Sequence, residues 1–363
     1  MVELQSVFQA LFYASTLSLL SVGVTLSYMT TRVFNFAHVR FAMVGSYVAA
    51  TVMLLLVRAF GVKADFEWSS WPLGLQARVP VPLWIYAVGL ATAMLVGGAV
   101  ALAQYYAVLK PLERRGASSM ALMISTLGFD FLLVALLFIY MTLPFVRELT
   151  VETKDLIGRV SFDSLKMDFI DVTIRLGSVV LRGVVVLALV LAVATVVGLY
   201  LLLTRTKLGV MMRSSIENPN LALVLGINVG RVFAVTWFIA GAIAGAAGFL
   251  FLFAAVYLKP ITPTSPSDEI IVSVFAGSIV GGINSVLGSI GGGFLIGIIE
   301  KLFVPALSPL LGVGIIKYDK VFSMLAVALT LLFIPQGLAS IGQTRFGRRL
   351  SSILARKEVE VAG

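Results

Sequence analysis

Cysteine is missing from the 363 residues, histidine occurs once, and only 12% of the chain is charged. Without cysteine there are no disulfides, no thiolate metal sites and no cysteine nucleophile. One histidine without partners makes no metal site, so none is expected. A soluble domain carries about 25% charged residues, and the shortage of charge excludes that class. No G-x-x-x-x-G-K-[ST] phosphate loop is present, so the chain is not expected to hydrolyse ATP itself. His38 lacks a deep acid or serine in an obvious motif, and no catalytic residues are expected. The start, MVELQSVFQA, lacks a basic region and a cleavage site, and reads as the approach to a first span.

What is present is apolar: hydrophobic residues fill 59% of the chain. A span needs about 20 mainly apolar residues. Eight stretches qualify, at 7–29, 33–57, 82–109, 119–142, 183–204, 232–257, 270–304 and 320–339. The expected fold is an all-α integral membrane protein, a polytopic helical bundle forming one domain over 1–363. The net charge of +9 lies in short connectors, which reads as topology and lipid-surface charge. Nucleic acid is not an expected partner; the lipid bilayer is. The stretch 270–304 is too long for one span and contains GGINSVLGSIGGG. Glycine costs about 1 kcal/mol against alanine in a helix. The run therefore predicts a broken glycine-rich helix, either two short crossings or a re-entrant piece plus a crossing.

Three connectors are densely basic: Lys110–Gly116, Thr204–Arg231 and Arg345–Lys357. Cytoplasmic connectors carry an excess of Lys and Arg. With 270–304 split there are nine crossings, and all three connectors fall inside together. The N-terminus is then extracytoplasmic and the tail 340–363 cytoplasmic. The polar segment 143–182 carries Glu148, Glu152, Asp155, Asp163, Asp168 and Asp171 and is expected to cap the outer mouth. The connector 58–81 carries Trp68 and Trp71, which suit an aromatic belt.

Polar side chains inside spans usually face a bundle interior or a water-filled cavity. In a straight helix Asn35 and His38 share a face, three residues apart, with Arg40 pointing elsewhere. They could bind helices together, form an inner gate or line a path. Asp130 falls near mid-membrane, about fifteen residues from Arg115, and reads as the one ionisable residue deep in a span. It needs water, a proton, a cationic ligand or a partner, for which Arg40 is a candidate. In the broken segment Gly281, Gly282, Asn284, Ser285 and Gly288 could expose backbone groups toward a water cavity. The plainer reading of such glycines is close helix packing, as in the pairs Gly277/Gly281, Gly293/Gly297 and Gly241/Gly245.

The stretch FNFAHVRFAMVGSYVAA resembles the asparagine-phenylalanine-alanine-histidine signature of LivH-type permease subunits of branched-chain amino acid ABC transporters. The resemblance continues in order. It passes through PLERRGASSMALMISTLGF, IENPNLALVLGINVGRVFAVTWFIAGAIAGAAGFLF, GGINSVLGSIGGGFLIGIIE and YDKVFSMLAVALTLLFIPQGL. There are departures: Val39 and Arg40 replace glycine and an acidic or polar residue, Ile334 precedes the closing proline, and Asp130 stands at a usually uncharged place.

The resemblance implies an importer permease that works by alternating access. It pairs with a second permease subunit, binds two cytoplasmic ATPases and receives cargo from an extracytoplasmic substrate-binding protein. ATP and Mg would be used by those partners, with no cofactor bound by this chain. The connector 205–231 is then expected to hold a short amphipathic coupling helix, started near Glu217, Asn218 and Pro219. Leu221, Leu225 and Val229 would share a face, and Gly226 would bend the helix. Glu217, Asn218, Pro219, Gly226 and Arg231 are the candidate ATPase-coupling residues; the alternative is a solvated basic loop on anionic lipid. The expected cargo is a branched-chain or related small amino acid. Urea, a short amide or a simple sugar is the alternative within the superfamily, and an ATP-independent channel or ion-coupled carrier the alternative outside it.

Overall fold

The computed structural model describes residues 4–71, 75–158, 160–167, 170–176, 179–254 and 261–343. Asp168, residues 255–257 of the sixth expected span and the tail beyond 343 lie outside the described residues. The helices are α1 (Leu4–Thr31), α2 (His38–Ala59), α3 (Leu83–Gln104), α4 (Lys110–Arg114), α5 (Ser119–Thr142), α6 (Pro144–Glu152), α7 (Lys154–Ile157) and α8 (Gly183–Arg205). They continue as α9 (Lys207–Glu217), α10 (Pro219–Val224), α11 (Val229–Phe251), α12 (Ser267–Gly281), α13 (Val286–Ile298), α14 (Val304–Ala306), α15 (Ser308–Leu311) and α16 (Asp319–Phe333). Among the described residues eight helical segments are long and apolar enough to cross a bilayer. α12 is the extra piece, with 15 residues, or about 22 Å at 1.5 Å per residue.

α1, α2 and α11 form the centre, with 72–83% of their most apolar windows buried, against 17–28% for α5, α8 and the segment holding α16. Small residues let the central helices touch. Gly241 faces Gly97 and Gly245 faces Ala93 across the α3–α11 seam, while Gly248 faces Ala42 of α2. Gly277 meets Gly293 across α12 and α13, and Gly297 meets Ala14 of α1. Lipid offers no hydrophobic drive between helices, so backbone approach of this kind supplies the attraction.

The glycine run breaks at one place only. Gly282 at φ +112° ends α12, and Ser285 caps α13 by accepting the Gly288 N–H at 3.0 Å. Gly291, Gly292 and Gly293 stay helical within α13. The interruption is a four-residue turn in a helical hairpin, narrower than the run that announced it.

The two ends of the bundle differ. One end carries the basic connectors: the Lys110 ammonium lies beside Gly230, so the connectors 110–116 and 204–231 share it. The opposite end carries the cap. Here a small sheet joins both polar connectors, in the order β1 (Ser69–Trp71), β2 (Leu75–Arg78), β3 (Thr173–Leu176) and β4 (Val179–Arg182), all antiparallel. Strands of three or four residues leave little alternation to read in a sequence. Trp68 lies 4.3 Å from the Arg175 guanidinium, a cation–π contact of this cap. The cap is tied inward by Tyr47 Oη donating to the Phe162 carbonyl at 3.1 Å and by the bridge between Leu165 and Ile261.

A Cβ added at Gly245 would run into the Ala93 carbonyl, whereas one at Gly291 meets nothing within 4 Å. Gly245→Ala should therefore cost about 1–3 kcal/mol, read as a lower unfolding temperature in detergent, and Gly291→Ala, unobstructed inside α13, should keep or raise that temperature.

Candidate functional site

At the basic end the chain after α8 turns back on itself. Thr206 caps α9 by accepting the Gly209 N–H at 3.0 Å, and Asn218 caps α10 by accepting the Leu221 N–H at 3.0 Å. Pro219 occupies the first turn of α10, where no intrahelical donor is needed. Gly226 at φ +81° closes that helix, and Asn228 caps α11 through the Arg231 N–H at 3.1 Å. The connector is thus two helices with a corner between them, which corrects the single helix expected from Glu217 onward. Glu217 is the last residue of α9 and Val229 the first of α11, so Leu221, Leu225 and Val229 do not share one face. The caps at Asn218 and Asn228 force the divisions. α10 and its C-cap instead expose Leu221, Leu223, Val224 and Leu225, an apolar surface beyond the bundle.

A cleft of ≈ 460 Å³ lies beside this corner, lined by Arg32, Arg213, Ile216, Glu217, Asn284 and Ser285 among others. Two stretches singled out separately in the sequence, the 205–231 connector and the α12–α13 turn, meet here. The Arg32 guanidinium donates to the Asn284 side-chain oxygen at 2.7 Å. Arg32 itself adopts φ +54°, the left-handed region that a non-glycine residue rarely enters. Gly281 and Gly288 pack backbone to backbone just above the turn.

Asn35 and His38 do not share a helical face. The Asn35 side chain accepts the Ala37 N–H at 3.1 Å, a local turn that delays the start of α2 to His38. Asn35 also exchanges two hydrogen bonds with Gln104 of α3, each 3.0 Å. His38 is walled in against Gly23 of α1, and neither ring nitrogen has a hydrogen-bond partner among the described residues. Both side chains are fully buried, so Asn35 is a tie between helices and His38 is packing against α1.

Asp130 is paired, and Arg40 is its partner. The guanidinium binds the carboxylate in a fork, Nε to Oδ1 at 2.8 Å and Nη2 to Oδ2 at 3.0 Å. The same Nη2 donates to Asp268 Oδ1 at 2.6 Å, and Nη1 donates to the carbonyls of Pro263 and Thr264 at 2.7 and 3.3 Å. Asp268 was not among the residues marked by sequence.

Nor was Glu300, which corrects the expectation that Asp130 alone is deep in a span. Its fully buried carboxylate accepts from Tyr13 Oη at 2.9 Å, Ser273 Oγ at 2.6 Å, Lys320 Nζ at 2.6 Å and Ser323 Oγ. Lys301 and Asp319 pair beside it at 2.9 Å. These bonds fasten the otherwise peripheral α16 to α1, α12 and the turn that follows α13. Glu300 and Lys301 lie inside the stretch 270–304, and the π-helical turn Ile299–Phe303 carries the helix past them.

A helical bundle with several apolar crossings, glycine seams and charges paired at membrane depth defines a multi-pass integral membrane protein. The family model for the permease component of branched-chain amino acid transport systems matches residues 6–334, and the chain belongs to that family. A probable branched-chain amino acid transport permease protein LivH of Methanocaldococcus jannaschii is 34% identical over 94% of this chain and 94% of its own length. The high-affinity branched-chain amino acid transport system permease protein BraD of Pseudomonas aeruginosa is 25% identical, covering 92% of this chain and 95% of its own. LivH of Escherichia coli K12 is 24% identical over 92% and 94%.

Removing one partner of a buried ion pair strands the other and costs about 3–5 kcal/mol. Arg40→Ala should show that loss as a lower unfolding temperature in detergent. Replacing Arg40 and Asp130 together by apolar residues should recover only the part due to the stranded Asp130 carboxylate, because Asp268 and the carbonyls of Pro263 and Thr264 still lose their donor.

Proposed function

We propose that this chain is a translocation subunit of an ATP-driven importer for branched-chain or related small amino acids. The observation that carries this is the family match over 6–334, joined by relatives whose own names specify branched-chain amino acid transport along nearly their whole length. The chain pairs with a second permease subunit, and an extracytoplasmic binding protein delivers the cargo to the cap end. Two cytoplasmic ATPases dock at the basic end and supply the ATP and Mg chemistry. The orientation follows the positive-inside rule: the end bearing Lys110, Arg114, Arg115, Arg205, Lys207, Arg213 and Arg231 is cytoplasmic. The N-terminus and the cap are then extracytoplasmic, and the C-terminus is cytoplasmic.

The exposed apolar residues of α10 suit insertion into a groove of an ATPase, the helix-in-groove mode of recognition. Asn218, Pro219 and Gly226 fix the corner, Glu217 stands at the cleft, and Arg231 opens α11. A push on α10 closes or opens the cleft against Asn284 and Ser285, and the turn with Gly281, Gly282 and Gly288 passes the movement to α12 and α13. Asp130, held by Arg40, belongs to the wall of the path. Asn35 and His38 hold that wall together from behind.

In a reconstituted complex of permeases, ATPases and binding protein, Glu217→Ala should insert and assemble but lose stimulation of ATP hydrolysis by loaded binding protein. Normal stimulation in that variant would falsify the coupling role of the corner. Leucine uptake that proceeds undiminished without ATP overturns the importer reading as a whole.

A further inference from the structure

We propose that Asp268 receives the ammonium group of the amino acid in the translocation path, and that Arg40 is the residue that positions it. This rests on the importer reading above and names a contact within it. A guanidinium has five N–H donors, and all five of Arg40 are used: two on Asp130, one on Asp268 and two on the carbonyls of Pro263 and Thr264. Nothing of Arg40 is left for a substrate carboxylate. One guanidinium stands against two carboxylates, so the group carries a net negative charge.

That charge has a definite location. The Asp130 side chain is 11% exposed and the Asp268 side chain 58%. Asp268 spends Oδ1 on Arg40, and its Oδ2 makes no hydrogen bond to any described residue. Depth follows from the shared guanidinium. Asp130 is the twelfth of the 24 residues of α5, so the Asp268 carboxylate bound to the same Nη2 also lies at mid-span. A carboxylate facing hydrocarbon at that depth costs at least about 2.5–3.5 kcal/mol. This face of α12 therefore opens on a water-filled path. A primary ammonium brings three donors and the opposite charge.

The same face suits an aliphatic side chain. One and two turns along α12 from Asp268 come Ile271 and Phe275, both half-buried. The Phe275 ring meets Phe34 and Phe36 edge-on, each with centroids 5.3 Å apart. A fixed carboxylate above a half-open aromatic floor matches a small zwitterion with an apolar tail. The carbonyl bonds from Arg40 hold the 263–264 backbone, so the carboxylate is in place before cargo arrives.

The test uses the complete complex in proteoliposomes. Asp268→Asn keeps the shape and one acceptor for Arg40 while removing the negative charge. We expect leucine uptake at least tenfold below the unsubstituted complex, partial recovery in Asp268→Glu, and an unchanged unfolding temperature for the purified chain. Because the chain has no cysteine, Asp268→Cys gives a single thiol. A water-soluble cationic methanethiosulfonate should modify it, and leucine-loaded binding protein with ATP should change the rate. Normal uptake by Asp268→Asn overturns the assignment, as does a thiol that never reacts. Dissociation of the two permease subunits in Asp268→Asn also overturns it, making Asp268 an intersubunit ion pair. If the unsubstituted complex takes up no amino acid, the importer reading fails and this contact fails with it; uptake by both complexes removes only the role of Asp268.

Discussion

A charge placed in hydrocarbon must be paired where it stands, because no solvent there can replace a lost partner. Arg40 meets that condition with five hydrogen bonds that reach three separate parts of the chain. It stands on α2, grips the middle of α5, and holds the descending backbone before α12 by its carbonyls. Irregular backbone at membrane depth is tolerated only against protein or water. The guanidinium supplies donors to two such carbonyls, so the chain can begin α12 inside the bundle and keep it at 15 residues. Remove that interaction and the short helix has no fixed starting point. Glu300 applies the same rule at the far side of α12, where four donors converge on one carboxylate and fasten α16.

The α12–α13 hairpin links the two ends of the proposed machine. Its turn is held by Asn284 to Arg32, the residue that follows α1, and lies in the cleft with Glu217. Its other end carries Asp268, the second residue of α12. Between them Gly277 and Gly293 bring the backbones together, and Gly292 packs against Gly277 and Gly281. Such packing leaves little room for the two helices to slide past each other. In the proposed importer such a hairpin would move as a lever, carrying a displacement at the corner of α9 and α10 to the Asp268 carboxylate.

Much of this was legible in the sequence, for reasons that can be named. Apolar runs of about 20 residues have one stable solution in lipid, so the crossings could be read within a few residues. Asp130 and Arg40 could be suspected as partners because each was an unmatched charge in an apolar run. The glycine run marked a break, but only the backbone shows that Gly282 makes the turn while Gly291 to Gly293 remain helical, since packing contacts decide it. Asn35 misled because helical periodicity was extended across a residue whose own side chain competes for the backbone. Asp268 was hidden by its neighbours. The stretch Thr262–Glu269 has the composition of a surface loop, and nothing local reveals that it descends to the depth of Asp130. Glu300 lay inside the stretch 270–304, but nothing local reveals that donors from α1, α12 and α16 converge on it.

The energetics of the Arg40 group argue for use as well as support. Buried ion pairs are often no more stabilising than well-packed apolar residues of similar size. A bundle with seams as close as Gly97 on Gly241 already has dispersion contacts to hold α2, α3 and α11 together. Arg40 and Asp130 alone would form a neutral, saturated fork and could be exchanged for apolar side chains at little cost. Asp268 is different, because it adds a second carboxylate to one guanidinium and leaves an oxygen open at mid-span. That excess is stable only where water or a cation comes to meet it, and a path that passes amino acids supplies both in turn.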